Sequence, residues 1–212
     1  FMLATFVYAL KRLPMADAYT LFFVAPLLIT VLSAPLLGEK VGAMRWIAIA
    51  IGLVGVVVAM RPTGEGWMSL GSLAAIASAL GYSLSAITVR VLGKTDSTQS
   101  MVLWMTVMVG LGAGLLAWPA WRPIATEHWP AIAVVGIAGA LAQYAVTIAF
   151  KLGEASAIAP FEYTALAWGV LLDWLLWQTL PDRYVFVGAG IIVASGIYLI
   201  RHERVHAEAE HP

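Results

Sequence analysis

The sequence contains no cysteine. That excludes a disulfide scaffold, a thiolate metal site and a cysteine nucleophile. Charge is nearly as scarce: 11% of 212 residues are Asp, Glu, Lys or Arg, against about 25% in a soluble domain. Twelve basic residues balance twelve acidic ones, so no field of one sign invites a polyanion and no nucleic-acid partner is implied. Enzyme signatures are missing as well. There is no G-x-S-x-G, H-E-x-x-H, Walker A or glycine-rich dinucleotide motif. None of the four histidines lies inside an apolar run, which removes most intramembrane Ser-His hydrolases. Nothing implies ATP, a resident metal or any other cofactor.

What is present is apolar. Hydrophobic residues make up 61% of the chain, and the mean hydropathy is +0.88. This composition excludes a soluble enzyme and a disordered chain, and leaves an integral membrane protein. Charge-free runs cover residues 18–38, 46–60, 66–89, 97–121, 129–150 and 184–200. A membrane-spanning helix needs ~20 apolar residues. Five runs fall within the tolerated range, and 46–60 reaches it with flanking residues such as Ala43 and Met44. A seventh run, 155–181, is long enough but carries Glu162 and Asp173. Residues 1–10 cover half a bilayer. These runs predict an all-α polytopic bundle of seven full spans plus the end of an eighth.

Helices are favoured over a barrel because runs such as 52–60 are apolar on every face, whereas barrel strands alternate. Seven of nine tryptophans (Trp46, Trp67, Trp118, Trp121, Trp129, Trp174 and Trp177) fall near predicted helix ends, as an interfacial belt requires. All connections are short. The polar tail 202–212 reads as disordered and cytoplasmic, with His202 and His206 solvated in preference to holding a metal.

The chain also resembles itself at one constant offset. Tyr8-Ala9-Leu10-Lys11 parallels Ile148-Ala149-Phe150-Lys151, and Ala25, Leu32, Ile51 and Arg61 recur as Ala165, Leu172, Ile191 and Arg201. The offset spans five helices. An odd number reverses the second copy in the membrane, giving an inverted-topology repeat of the kind that secondary transporters use. The second copy, 66–201, has five helices. The first, 1–62, shows only the last two and a half, so about two and a half helices are expected ahead of Phe1.

Ala9-Leu10-Lys11, Ala16-Asp17-Ala18, Pro26, Leu36-Leu37-Gly38-Glu39-Lys40, Gly55 and Arg61-Pro62 together resemble the end of an EamA-type repeat of the drug/metabolite transporter superfamily. Ser156-Ala157-Ile158-Ala159-Pro160-Phe161-Glu162-Tyr163, Gly188 and Gly196 resemble the same motif in the second copy. The resemblance implies ten helices in two inverted repeats, with both termini cytoplasmic. The copies differ where Gly38-Glu39 is matched by Gln178-Thr179. With the C-terminus inside, seven basic residues (Lys40, Arg45, Arg90, Lys94, Lys151, Arg201, Arg204) face inward. Five (Lys11, Arg12, Arg61, Arg122, Arg183) face outward, as the positive-inside rule prefers.

Glu162 is the sharpest candidate site. It lies about seven residues into its span, where a carboxylate costs ~2.5–3.5 kcal/mol on insertion scales and must face the bundle interior or a water-filled cavity. Pro160 is expected to kink the helix there. A kink beside an acid suits a proton carrier or a counter-charge for a substrate; a paired structural acid is the competing reading. Asp173, eleven residues further along the same run, falls on its face at 100° per residue, ~16 Å away, or else reaches the interface near Trp174 and Trp177. Tyr163, Gln143, Tyr82, Trp168, Tyr19 and Phe22 complete the candidate substrate-binding set, with Phe22 falling opposite Glu162 under the offset. For Gln143, interhelical glue competes with substrate contact. For Trp168 and Trp104, lipid or core packing competes with stacking on a flat or cationic ligand. Gly110-x-x-x-Gly114 and the small-residue run 136–142 suit close helix packing.

These features predict a carrier in a bacterial inner membrane that moves a small amphipathic metabolite (amino-acid-, nucleoside- or vitamin-like) by alternating access, with proton coupling through Glu162 or Asp173. Its partners would be that substrate and the lipid bilayer; oligomeric state is not encoded legibly. The alternatives are an inactive fragment or a structural membrane subunit.

Overall fold

The computed structural model describes residues 1–62, 69–121, 124–178 and 183–210, with the side chains of Ala16, Ala120, Val170, Asp173, Leu176, Trp177 and 199–210 outside the described set. Trp67 and Arg122, assigned above to a helix end and to the outer charges, also lie outside the described residues. Every regular element among the described residues is helical. In chain order they are α1 (Met2–Leu10), α2 (Met15–Phe22), α3 (Ala25–Leu37), α4 (Ala43–Met60), α5 (Leu70–Leu92), α6 (Thr98–Ala117), α7 (Trp129–Leu152), α8 (Ala155–Ile158), α9 (Thr164–Trp177) and α10 (Arg183–Glu210), with short 3-10 turns between some of them.

Five stretches are long and apolar enough to cross a membrane: Asp17–Leu37, Ala43–Met60, Leu70–Leu92, Thr98–Ala117 and Thr126–Leu152. A shorter apolar helix covers Arg183–Tyr198. The helical membrane bundle expected from composition is therefore present. Of the seven spans expected, five have that length among the described residues, 184–200 corresponds to the shorter apolar helix, and run 155–181 is interrupted. It folds as α8, a 3-10 turn at Ala159–Tyr163, and α9. Pro160 sits in that turn and has no N–H to continue the α-helical ladder. The earlier run bends similarly between α2 and α3, ahead of Pro26.

α10 continues to Glu210, through residues that the sequence reading placed in a disordered tail. Glu203, Ala207, Glu208, Ala209 and Glu210 are all good helix formers.

The chain divides into two compact units, 1–87 with 154–212, and 88–153. In the first, Phe23, Ile49, Val56, Tyr163 and Ile192 form the buried core. α4 and α10 touch backbone to backbone. A Cβ on Gly55 would lie 2.9 Å from the Gly188 carbonyl oxygen, and one on Gly188 would overlap Gly55 and Ala59. One stretch further along the antiparallel pair, Ser195 Oγ donates to the Ala48 carbonyl at 2.8 Å. Contacts at the helix ends sort the connections of this unit into two sets. Gly71 abuts Arg12 and Leu13, and Arg61 stacks on Tyr184; the loop holding Glu39 meets the start of α8.

In the second unit α6 and α7 pair. Gln99 Nε2 approaches Tyr144 Oη at 3.4 Å, and Lys151 Nζ donates to the Asp96 carbonyl at 2.7 Å. Leu103, Leu111, Leu115, Val134, Val135 and Leu141 are exposed. In lipid such faces carry no desolvation cost.

Candidate functional site

Glu162 lies inside the 3-10 turn that interrupts the α8–α9 span. Its Oε1 accepts a hydrogen bond from Tyr82 Oη at 2.7 Å, the short length of a hydroxyl donating to a carboxylate. Tyr82 comes from α5, so this bond joins elements far apart in the chain. Phe22, at the end of α2, lies against the Tyr82 ring with centroids 5.7 Å apart. Phe6 of α1 then packs on Phe22 at 5.0 Å and edge-on to Tyr19 at 5.2 Å. Glu162, Tyr82, Phe22, Phe6 and Tyr19 are all half-buried. One carboxylate therefore adjoins a continuous aromatic ledge, and neither is sealed in the core.

Four of the seven candidate binding residues thus come together: Glu162, Tyr82, Phe22 and Tyr19. Tyr163 does not share their exposure. It is 1% exposed, its ring fills the space beside Gly52, and it meets the Phe23 ring at 6.0 Å. Its hydroxyl has no hydrogen-bond partner among the described residues. Trp168 is 61% exposed and stands apart from the ledge, which fits its lipid-facing reading, as 60% exposure does for Trp104. Gln143 belongs to the second unit, where Nε2 donates to Thr147 Oγ1 at 3.3 Å and Thr147 Oγ1 donates back to the Gln143 carbonyl at 2.7 Å.

Asp173 lies on α9, and its side chain is outside the described residues. The face expected to be shared with Glu162 follows from about 100° per residue over eleven residues. Only Glu162 and Tyr163 of that interval lie in the 3-10 turn, at about 120° per residue, and the rest belongs to α9. The side chains of His202 and His206 also fall outside the described set, and no metal-holding cluster occurs among the described residues.

Two residues stand out only in three dimensions. Phe6 sits in an apolar helix with no signal to separate it from its neighbours. Asp17 is fully buried near the start of α2, although its closeness in sequence to Lys11 and Arg12 suggests a solvated connection.

A second polar cluster lies at the far end of α8. Glu39 Oε1 accepts from the Ala155 amide at 2.8 Å, and Oε2 accepts from the Ser156 amide at 3.0 Å and its hydroxyl at 2.7 Å. Arg45 donates to Ser156 Oγ at 2.8 Å and pairs with Glu154.

Comparison with known proteins places this architecture. A riboflavin transporter of Vibrio cholerae is 30% identical over 93% of this chain and 66% of its own length. A pseudopaline exporter, CntI, of Pseudomonas aeruginosa is 25% identical over 95% of this chain and 72% of its own. The chain thus spans about two thirds of the length of such relatives. A solved crystal structure superimposes with a TM-score of 0.77 at 25% identity, covering 91% of this chain and 69% of the other. The EamA-like transporter family matches residues 1–61 and again 69–201. With apolar helices throughout and a match over nearly its whole length, this multi-pass membrane chain belongs to the EamA-like transporter family.

Proposed function

We propose that the protein is a secondary carrier of the bacterial inner membrane, with a cytoplasmic C-terminus. It would bind a small amphipathic metabolite at Glu162 and release it by alternating access between two inverted halves. The observation that carries this reading is the position of Glu162, a half-buried carboxylate at a helix break, tied to Tyr82 and bordered by half-buried rings. Discontinuous helices at mid-membrane are where transporters of this architecture hold substrates and coupling ions.

The inverted repeat is supported by element bounds that recur at the offset carrying Ala25 onto Ala165. α2 begins at Met15 and α8 at Ala155; α3 ends at Leu37 and α9 at Trp177; α4 begins at Ala43 and α10 at Arg183. The caps after Leu37 and Trp177, Gly38 and Gln178, are both left-handed, with φ of 72° and 53°. The two family matches likewise end at equivalent positions, 61 and 201. Contacts between the halves are reciprocal. Gly55 meets Gly188, and the exchanged pair, Ala48 and Ser195, also meets. Phe23 and Tyr163 occupy equivalent positions and touch each other, as residues on a pseudo-two-fold axis must. Equivalent Phe22 and Glu162 both touch Tyr82, so the half-sites meet at one tyrosine with opposite chemistry.

An acid beside aromatic faces suits a flat ring that carries a hydrogen-bond donor or a positive charge. Riboflavin, the substrate in the name of one relative, has such a ring; the exporter among the relatives fits the same direction-neutral mechanism. Glu162, with Asp173 as a second candidate, would exchange the coupling proton. The test is uptake of a metabolite panel into proteoliposomes containing the full-length protein. Glu162→Gln is expected to abolish uptake driven by a pH gradient. Uptake that is unchanged in that variant refutes the reading.

A further inference from the structure

The cluster around Glu39 serves neither the ledge nor the core, yet one carboxylate there accepts three hydrogen bonds from the first two residues of α8. α8 leads within a few residues to Glu162. Ser156 is fully buried, and its hydroxyl links Glu39 to Arg45, which in turn pairs with Glu154. The α3–α4 connection is thereby fastened to the entry of the broken span. Four crossings (α4, α5, α6 and α7) separate the two, so they lie on the same face of the membrane.

The repeat makes this fastening lopsided. Under the same offset Glu39, Arg45, Glu154 and Ser156 correspond to Thr179, Val185, Pro14 and Ala16. Nothing in the second set carries charge. Equivalent positions of inverted halves lie on opposite faces, so the charged fastening of one face is not repeated at the equivalent positions of the other. We propose that Glu39 is a positioning residue for Glu162 and that Glu39, Arg45, Ser156 and Glu154 form a one-sided latch. Closed, it holds the halves together with charged groups on the face that carries residue 39, where the other face has the Arg61–Tyr184 stacking contact, and it favours opening of the site toward that other face. A ligand or proton that engages the Glu162 turn pulls on α8 and works against the latch, which couples occupancy to opening. This inference rests on the inverted-repeat carrier proposed above.

These 212 residues contain no cysteine, and any in the rest of the full-length protein is replaced by serine before the test. A single reporter, Phe22→Cys, is placed in the full-length protein at the aromatic ledge. Its labelling by a membrane-impermeant maleimide is timed in right-side-out and inside-out vesicles, without substrate. Adding Glu39→Gln is expected to raise the labelling rate from the residue-39 face about tenfold and to lower it from the opposite face. Ser156→Ala, a milder change that removes the shared hydroxyl, is expected to move both rates the same way by about threefold, and it decides the matter if Glu39→Gln does not fold. Labelling that is unchanged from both faces, or raised equally from both, overturns the latch, the second result marking Glu39 as a purely structural cap. Transport of the metabolite panel is read separately. One-sided labelling with no substrate moved sustains the latch and removes the carrier reading, whereas transport with symmetric labelling removes the latch alone.

Discussion

At the residue scale, the most consequential pairing is Tyr82 with Glu162. A hydrogen bond contributes ~0.5–3 kcal/mol, more when one partner is charged, and this one fixes which carboxyl oxygen remains available to a ligand. Tyr82→Phe keeps the ring on Phe22 and deletes only the donor. The variant is expected to raise the KM for transport about tenfold, equivalent to about 1.4 kcal/mol, with Vmax little altered. Initial-rate transport kinetics in proteoliposomes measure both. Much of this site is visible in the residue order: an acid inside an apolar run, two positions after a proline, is either a liability or a device. Its partner is harder to see. Tyr82 lies on a distant helix whose serines and glycines suggest ordinary packing, and no local pattern records which helix supplies a donor. Phe6 is invisible for the same reason, being one ring in a uniformly apolar segment.

At the scale of elements, the glycines of α4 and α10 set how closely two spans approach. Without a hydrophobic force between helices in lipid, association depends on close packing and on hydrogen bonds between backbones and small side chains. Gly188 faces the backbone of Gly55 and Ala59, which cannot rotate away as a side chain can. Gly188→Ala is therefore expected to destabilise the protein by ~3 kcal/mol, the upper end of overpacking costs. A fall in the thermal midpoint in detergent would record it, and an unchanged midpoint would mean that α4 and α10 are less tightly seated. The break between α8 and α9 belongs to this scale too. Pro160 announces a kink, but the kink is a full 3-10 turn that reorients the acid. Gln178 shows the converse. Its sequence departs from Gly38, yet it takes the same left-handed cap, because the chain must reverse at that point whichever residue stands there.

For the whole molecule, the proposed two-fold relation between halves would decide the topology. Under it, Lys40, which follows α3, and Arg183, which follows α9, would lie on opposite faces of the membrane. Single-cysteine variants Lys40→Cys and Arg183→Cys are expected to react with an impermeant reagent from opposite sides, with Lys40→Cys labelled from the cytoplasm. Labelling of both from one side would end the inverted arrangement.

Apolar length, scarcity of charge and the internal echo were enough to determine a helical membrane protein and to point at Glu162, because burying a backbone in lipid leaves few solutions and each exception is conspicuous. Which rings gather round that acid, that Tyr82 holds it, and that Glu39 fastens the entry of its helix were decided only by the tertiary structure. Those contacts join positions on helices widely separated in the chain, and such pairing depends on how whole helices pack, a property that no short stretch of chain contains.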